Sequence, residues 1–170
     1  MAAPGYGSMH KPRTEDHLRA SAPLSESRFD LTGFGTGVSM GRCSLIVADD
    51  SEEIRRSLAD ILSADYDVVG VVENGQELVD VATDLKPDLL VIDVAMPLLN
   101  GLDALAQLAR SGSAAKAVIV SAIGDPAYVR RAFQLGAVGY VLKATAAEDL
   151  PAALEAALAG RTFTSRGITV

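Results

Sequence analysis

No stretch of this chain stays apolar for the ~20 residues that a membrane-spanning helix needs. The closest, Leu89 to Leu99, is interrupted by Asp93. The N-terminus lacks the basic start and unbroken apolar segment of a secretion signal. A lone cysteine, Cys43, rules out an internal disulfide and is better read as filling space than as reactive. With two histidines, His10 and His17, and no Cys/His cluster, a structural zinc site has no ligands to draw on. Basic charge is also short. The 15 Lys and Arg face 22 Asp and Glu, a net of −7. Residues 1–42 carry a net +1, so −8 falls on the remainder, a balance that repels nucleic-acid phosphates. Together these absences fit a cytoplasmic protein with no membrane contact and no direct nucleic-acid binding.

What is present fits one α/β domain with a tail. Residues 1–42, rich in Gly, Ser, Pro and Ala and without apolar periodicity, read as a disordered or poorly ordered N-terminal tail. From Cys43 to about residue 160, short β-rich runs alternate with amphipathic stretches, and 161–170 read as a short C-terminal tail. The predicted strands are Ser44–Ala48, Asp67–Val72, Asp88–Ile92, Ala117–Val120 and Gly139–Leu142. Ser51 caps a first helix with Ile54, Leu58, Ile61 and Leu62 on one face, and Gln76–Leu85 forms a second that closes at Lys86-Pro87. Leu102, Leu105 and Leu108 mark a third helix, and Asp125-Pro126 opens a fourth. Thr145 and Glu148 have capping-box spacing for a fifth, whose first turn Pro151 would distort or delay. Five such units imply a flavodoxin-like, doubly wound α/β fold: a five-stranded parallel sheet in the order 2-1-3-4-5 with five helices.

In such a sheet, ligands bind beyond the C-terminal ends of the strands, where the strand order reverses. The first strand delivers Asp49 and Asp50 there, the third Asp93, the fourth Ser121 and the fifth Lys143, whereas the second delivers Glu73-Asn74 away from that point. Three carboxylates converging at one rim repel unless a cation compensates, and an all-oxygen site suits Mg2+. A carboxylate beside Mg2+ and an ammonium group is a competent phosphoryl acceptor. Taken singly, Asp49-Asp50 could be only a helix cap, Lys143 a solvated surface charge, and Ser121 without meaning. Asp93 is harder to dismiss, because an Asp that closes an apolar strand is costly without a role.

The runs I-V-A-D-D-S, K-P-D-L-L-V-I-D-V-A-M-P-L-L-N-G, V-I-V-S-A and L-G-A-V-G-Y-V-L-K closely resemble the response-regulator receiver family over about residues 43–160, and are closest in flavour to receivers of LuxR-type helix-turn-helix regulators. The resemblance implies that Asp93 is the phosphoacceptor. It implies that Asp50 is a direct Mg2+ ligand, that Asp49 acts largely through water, and that the backbone carbonyl of Ala95 completes the protein ligands. Lys143 would pair with the phosphoryl group, Ser121 would be the switch hydroxyl and Tyr140 the switch aromatic, with Met96-Pro97 and Gly101 shaping the loop behind the acceptor. A histidine kinase, a phosphotransfer protein or a small donor such as acetyl phosphate would supply the phosphoryl group. Ser121 would then move toward it, the Tyr140 ring would enter the space left, and the face of helix four, strand five and helix five would change for a downstream protein partner or a phosphorylation-dependent homodimer.

Two departures from the family pattern stand out. Ala144 follows Lys143 where many receivers have Pro. Ala95 and Ile123 are apolar at positions that in relatives help position a hydrolytic water, which implies a long-lived aspartyl phosphate. Three other readings compete. The closing G-R-T-F-T-S resembles the segment before the linker of LuxR-type regulators, so the chain could be a fragment of a transcription regulator; its end at Val170 favours a stand-alone receiver. A Mg2+-dependent phosphohydrolase of the haloacid-dehalogenase type would carry D-x-D on the first strand, and this chain has adjacent aspartates there. A pseudoreceiver that is never phosphorylated is disfavoured, because no active-site residue type is missing.

Overall fold

The computed structural model describes residues 41–168. The tail expected over residues 1–42, with His10 and His17, lies outside them apart from Gly41 and Arg42. Arg42 donates to the backbone carbonyls of Ser63 and Ala64.

Strands and helices alternate: β1 (Ser44–Ala48), α1 (Glu52–Leu62), β2 (Asp67–Val72), α2 (Gly75–Leu85), β3 (Leu89–Ile92), α3 (Gly101–Arg110), β4 (Lys116–Ser121), α4 (Pro126–Gln134), β5 (Ala137–Leu142), α5 (Ala146–Leu158) and β6 (Phe163–Thr164). Every pairing is parallel, and the order is β2-β1-β3-β4-β5-β6. The flavodoxin-like order 2-1-3-4-5 is therefore observed, with a sixth strand added beyond β5 from the segment expected to be a short tail.

Side-chain alternation sorts the core onto two faces. Leu45, Val47, Leu89, Val91, Val118 and Val120 pack under α1 and α5. Ile46, Ala48, Leu90, Ile92, Ala117 and Ile119 pack under α2, α3 and α4. The central strands β1, β3 and β4 read as unbroken apolar runs because both their faces are covered.

Local chemistry sets most helix starts. Ser51, Asn74, Asn100 and Asp125 each accept a backbone N–H of the first helical turn through a side-chain oxygen, and Pro126 follows the last of these. Lys86 ends α2 in the left-handed region and Pro87 prevents continuation. Of the four residues expected to share the apolar stripe of α1, Leu58 and Leu62 are buried, whereas Ile61, at the border of the stripe, is half exposed.

The start of α5 differs from expectation. A 3-10 turn, Lys143–Thr145, precedes it, so Thr145 has ψ 11° instead of the extended backbone that a cap needs, and its side chain caps nothing. Its hydroxyl donates to Asp149, one residue past the expected Glu148. The helix begins at Ala146 and runs through Pro151 instead of starting after it. Ala147, whose carbonyl loses its intrahelical donor to the proline, is exposed, so water can serve it.

Candidate functional site

The register of β1 against β3 ends at Ala48↔Ile92. One residue further, the Asp93 N–H donates to the Ala48 carbonyl at 2.8 Å, extending the ladder just past the strands. Asp49 and Asp93 thus emerge side by side. Both are almost wholly buried, at 1% and 3% exposure. Asp50 turns outward and is exposed, and one carboxylate oxygen from each of the three lies within 4.8 Å of the others.

Lys143 reaches this rim from the end of β5. Its Nζ stands 2.7 Å from Asp49 Oδ2 and donates to Asp93 Oδ2 at 2.9 Å. Burial works against the ammonium charge, but the two carboxylates outweigh it and hold the Lys143 pKa above its ordinary value. Asp49 uses Oδ1 to accept the Ser51 N–H at 2.9 Å. Its Oδ2 is buried and meets only the Lys143 ammonium among the described residues, which leaves a further lone pair on that oxygen. Asp49 is thus more than a cap, a task that falls to Ser51.

Ser121 and Tyr140 lie deeper. Ser121 is buried and its Oγ accepts the Ile123 N–H at 3.1 Å. The Tyr140 ring is fully buried, and its hydroxyl donates to the Ile123 carbonyl at 2.7 Å. Burial pushes the Tyr140 phenol upward, opposed by the Ser121 hydroxyl and reinforced by the Asp93 charge. The ring expected to enter on phosphorylation is already inside, held by the β4–α4 loop. Ala95 is exposed and Ile123 half-buried, leaving no polar side chain at either position.

The loop from β3 to α3 is held by close packing. A Cβ on Gly101 would sit 2.0 Å from the Asp93 carbonyl oxygen, and one on Gly75 would sit 2.0 Å from that of Leu99. Both glycines let a helix start press against this loop.

Sequence reasoning passed over Arg55. Its Nη1 donates to the Asp49 backbone carbonyl at 2.6 Å and its Nη2 lies 3.7 Å from Glu73 Oε2, tying the ends of β1 and β2 together. The signal was there, since Arg55 falls three residues before Leu58 and seven before Leu62, within the buried stripe of α1.

A parallel sheet whose strand ends gather three carboxylates and a lysine at the point of reversed strand order defines a class of α/β domain built to handle a cation and a phosphoryl group. The chain belongs to the response regulator receiver domain family, which it matches over residues 45–155. It is 39% identical over 105 residues to the chemotaxis protein CheY of Thermotoga maritima, covering 61% of this chain and 87% of that protein. It is 34% identical over 128 residues to the nitrate/nitrite response regulator protein NarL of Escherichia coli, covering 74% of this chain but only 59% of NarL. Among solved structures, a LuxR-family two-component response regulator from Aurantimonas sp. SI85-9A1 superposes with a TM-score of 0.71 at 28% identity, covering 75% of this chain and 93% of the other. The isolated receiver domain of RcsB from Salmonella enterica serovar Typhimurium, solved in the presence of the phosphomimetic BeF3, gives 0.69 at 26% identity, covering 75% and 96%. The chain is a receiver domain of two-component signal transduction, homologous to CheY, NarL and RcsB. Receiver domains interact with histidine kinases and downstream effectors, and typically bind Mg2+ at an acidic pocket such as Asp49, Asp50 and Asp93 form here. Among the described residues, no helix is long and apolar enough to cross a membrane.

Proposed function

We propose that Asp93 takes a phosphoryl group from a phosphorylated histidine of a kinase or phosphotransfer protein, or from a small acyl phosphate, and that the domain catalyses only this transfer to itself and the later hydrolysis of the aspartyl phosphate to inorganic phosphate. An Asp93 carboxylate oxygen attacks phosphorus. The new P–O bond forms as the bond to the donor breaks, and the electron pair leaves with acetate or with the imidazole, which takes a proton. Lys143, already on Asp93, neutralises charge on the incoming oxygens and holds the nucleophile in place. Ser121 gives up the Ile123 amide to meet a phosphoryl oxygen. The observation that carries this reading is the Lys143 ammonium between two buried carboxylates, at 2.7 and 2.9 Å.

The residues fit a divalent cation. Three carboxylates and one ammonium leave a formal −2, which Mg2+ cancels, and Asp49 Oδ2 offers a buried lone pair. One carboxylate oxygen from each of the three lies within 4.8 Å of the others, close enough that a single ion could meet them directly or through water. Asp50, Asp93 and the Ala95 carbonyl would hold the ion, with Asp49 acting largely through water. When bound, Mg2+ supplies positive charge for the phosphoryl oxygens.

Output is proposed to pass through the face of α4, β5 and α5 to a downstream protein or a second copy, in the cytoplasm. Tyr140, whose hydroxyl grips the Ile123 carbonyl in the loop that also carries the Ser121 contact, links the site to that face. Intact-mass measurement after incubation with acetyl phosphate and Mg2+ tests the reading. One phosphoryl group should appear on the wild type and none on Asp93→Asn. Labelling that survives in Asp93→Asn would overturn it, and steady phosphate release from varied organic esters would instead indicate a phosphohydrolase.

A further inference from the structure

Ser165 lies ten residues beyond the end of the family match, yet it is 2% exposed and bonded to the loop that carries Lys143. Its N–H donates to the Tyr140 carbonyl at 3.0 Å, continuing the β5–β6 ladder by one residue. Its Oγ then accepts the Leu142 N–H at 3.1 Å and donates to Asp149 Oδ2. The same carboxylate oxygen accepts the Thr145 hydroxyl at 2.6 Å. Lys143 therefore sits between two pinned points, its preceding residue tied to Ser165 and the second residue after it tied to Asp149. Between those points the backbone makes the 3-10 turn, closed by the Ala146 N–H on the Lys143 carbonyl.

Lysine is long and flexible, so the position of its ammonium depends on where its backbone is anchored. Nothing else among the described residues fixes the Lys143 side chain apart from its two carboxylate partners. The Ser165 and Thr145 hydroxyls hold Asp149 in its charged form, lowering its pKa. A carboxylate that accepts both hydroxyls at once fixes the relative placement of strand β6, the turn and the start of α5.

We infer that Ser165, with Asp149 and Thr145, is a positioning cluster that sets the β5–α5 turn so that the Lys143 ammonium meets Asp93 and its phosphoryl group. This rests on the proposed role of Lys143 in phosphoryl transfer. The cluster touches neither the acceptor nor the cation. Its contribution is delivered through Lys143 alone, which separates it from a contribution to general stability.

The test is a double-substitution cycle on the full 170-residue chain, read by intact mass with acetyl phosphate at saturating Mg2+. Ser165→Ala and Asp149→Asn are expected to slow labelling about fivefold, and Ser165→Thr, which keeps the hydroxyl, to restore it. Should Ser165→Ala fail to fold, Thr145→Val removes one hydroxyl without loss of volume and takes its place. In a Lys143→Ala background, Ser165→Ala should cost nothing further. A full fivefold loss there would show action by another route and overturn the inference. A second readout needs no Mg2+ and no phosphoryl donor. In competitive acetylation with acetic anhydride, the reactivity of Lys143 relative to the exposed Lys86 should rise several-fold in Ser165→Ala, whereas general loosening would raise both. An unchanged ratio together with wild-type labelling rates would overturn the inference and leave the Asp93 reading intact. Failure of the wild type itself to label would instead sink that underlying reading.

Discussion

Asp49 and Asp93 are both withdrawn from water, and a single ammonium group stands between them. Two buried like charges beside one cation make Lys143 a stability residue as well as the proposed phosphoryl partner. Lys143→Met should cost the cation-free protein about 3 kcal/mol, because it leaves buried carboxylates unpaired. The loss should shrink when Mg2+ is added, and urea unfolding with and without the ion measures both values. The sign of the pH dependence follows from the raised Lys143 pKa. A raised folded-state value means that the contribution is fully present below the unfolded lysine value of ~10.4 and is lost as pH rises through the folded value. The gap in stability between wild type and Lys143→Met should therefore close in that alkaline window. Two other residues bear on the lifetime of the product. Ala95 and Ile123 offer no polar side chain to hold a water against the phosphoryl group. Ala95→Asn with Ile123→Glu should shorten the aspartyl phosphate lifetime by up to about a hundredfold, the lower end of general-base effects. A phosphate-release time course decides it, and an unchanged half-life would remove the idea.

At the scale of elements, the β3–α3 connection is the tightest joint in the domain. The Gly101 N–H donates to the Val94 carbonyl at 3.0 Å while its Cα faces the Asp93 carbonyl oxygen, where a methyl group would sit at 2.0 Å. Backbone opposes backbone there, so neither side can rotate away. Gly101→Ala should lower stability by about 2–3 kcal/mol through overpacking. It should also slow labelling of Asp93, because the displaced atom belongs to the acceptor residue. Thermal unfolding and intact mass check the two effects, and full stability with normal labelling would contradict the packing argument. Elements whose signals are local were legible from the chain alone. The apolar runs, Ser51, Asp125-Pro126 and Lys86-Pro87 fixed most boundaries to within a residue or two, and the strand ends foretold that Asp49, Asp50 and Asp93 would lie together. The misses share a physical cause. Thr145 was read as the cap of α5 from its spacing to Glu148, but its hydroxyl is claimed by Asp149 within a cluster completed by Ser165, twenty residues on. Strand β6 has only two residues and exists because the edge of β5 needed a partner, which no local pattern announces. Tyr140 was marked as the switch aromatic by the family resemblance, yet whether its ring lies in or out depends on the Ile123 carbonyl, a loop geometry invisible in sequence.

For the whole molecule, charge links the site to the fold. The chain beyond residue 42 carries a net −8, and the rim concentrates part of that charge where it is least solvated. Carboxylates held this close repel one another, and a bound cation would relieve that repulsion. Binding to the folded state alone raises stability by RT ln(1 + [L]/Kd), about 2.7 kcal/mol when Mg2+ stands at one hundred times its Kd. Melting temperature should therefore climb by several degrees across a Mg2+ titration at constant ionic strength. Asp50→Asn removes the exposed carboxylate without disturbing the Lys143 pairs. It should leave cation-free stability nearly unchanged while flattening the titration. Asp49→Asn should raise cation-free stability less than charge relief alone suggests, because it also forfeits one of the two partners of Lys143. A titration equally steep in wild type and Asp50→Asn would mean that Mg2+ acts elsewhere on the acidic surface, and the charge balance of the rim would then need another explanation.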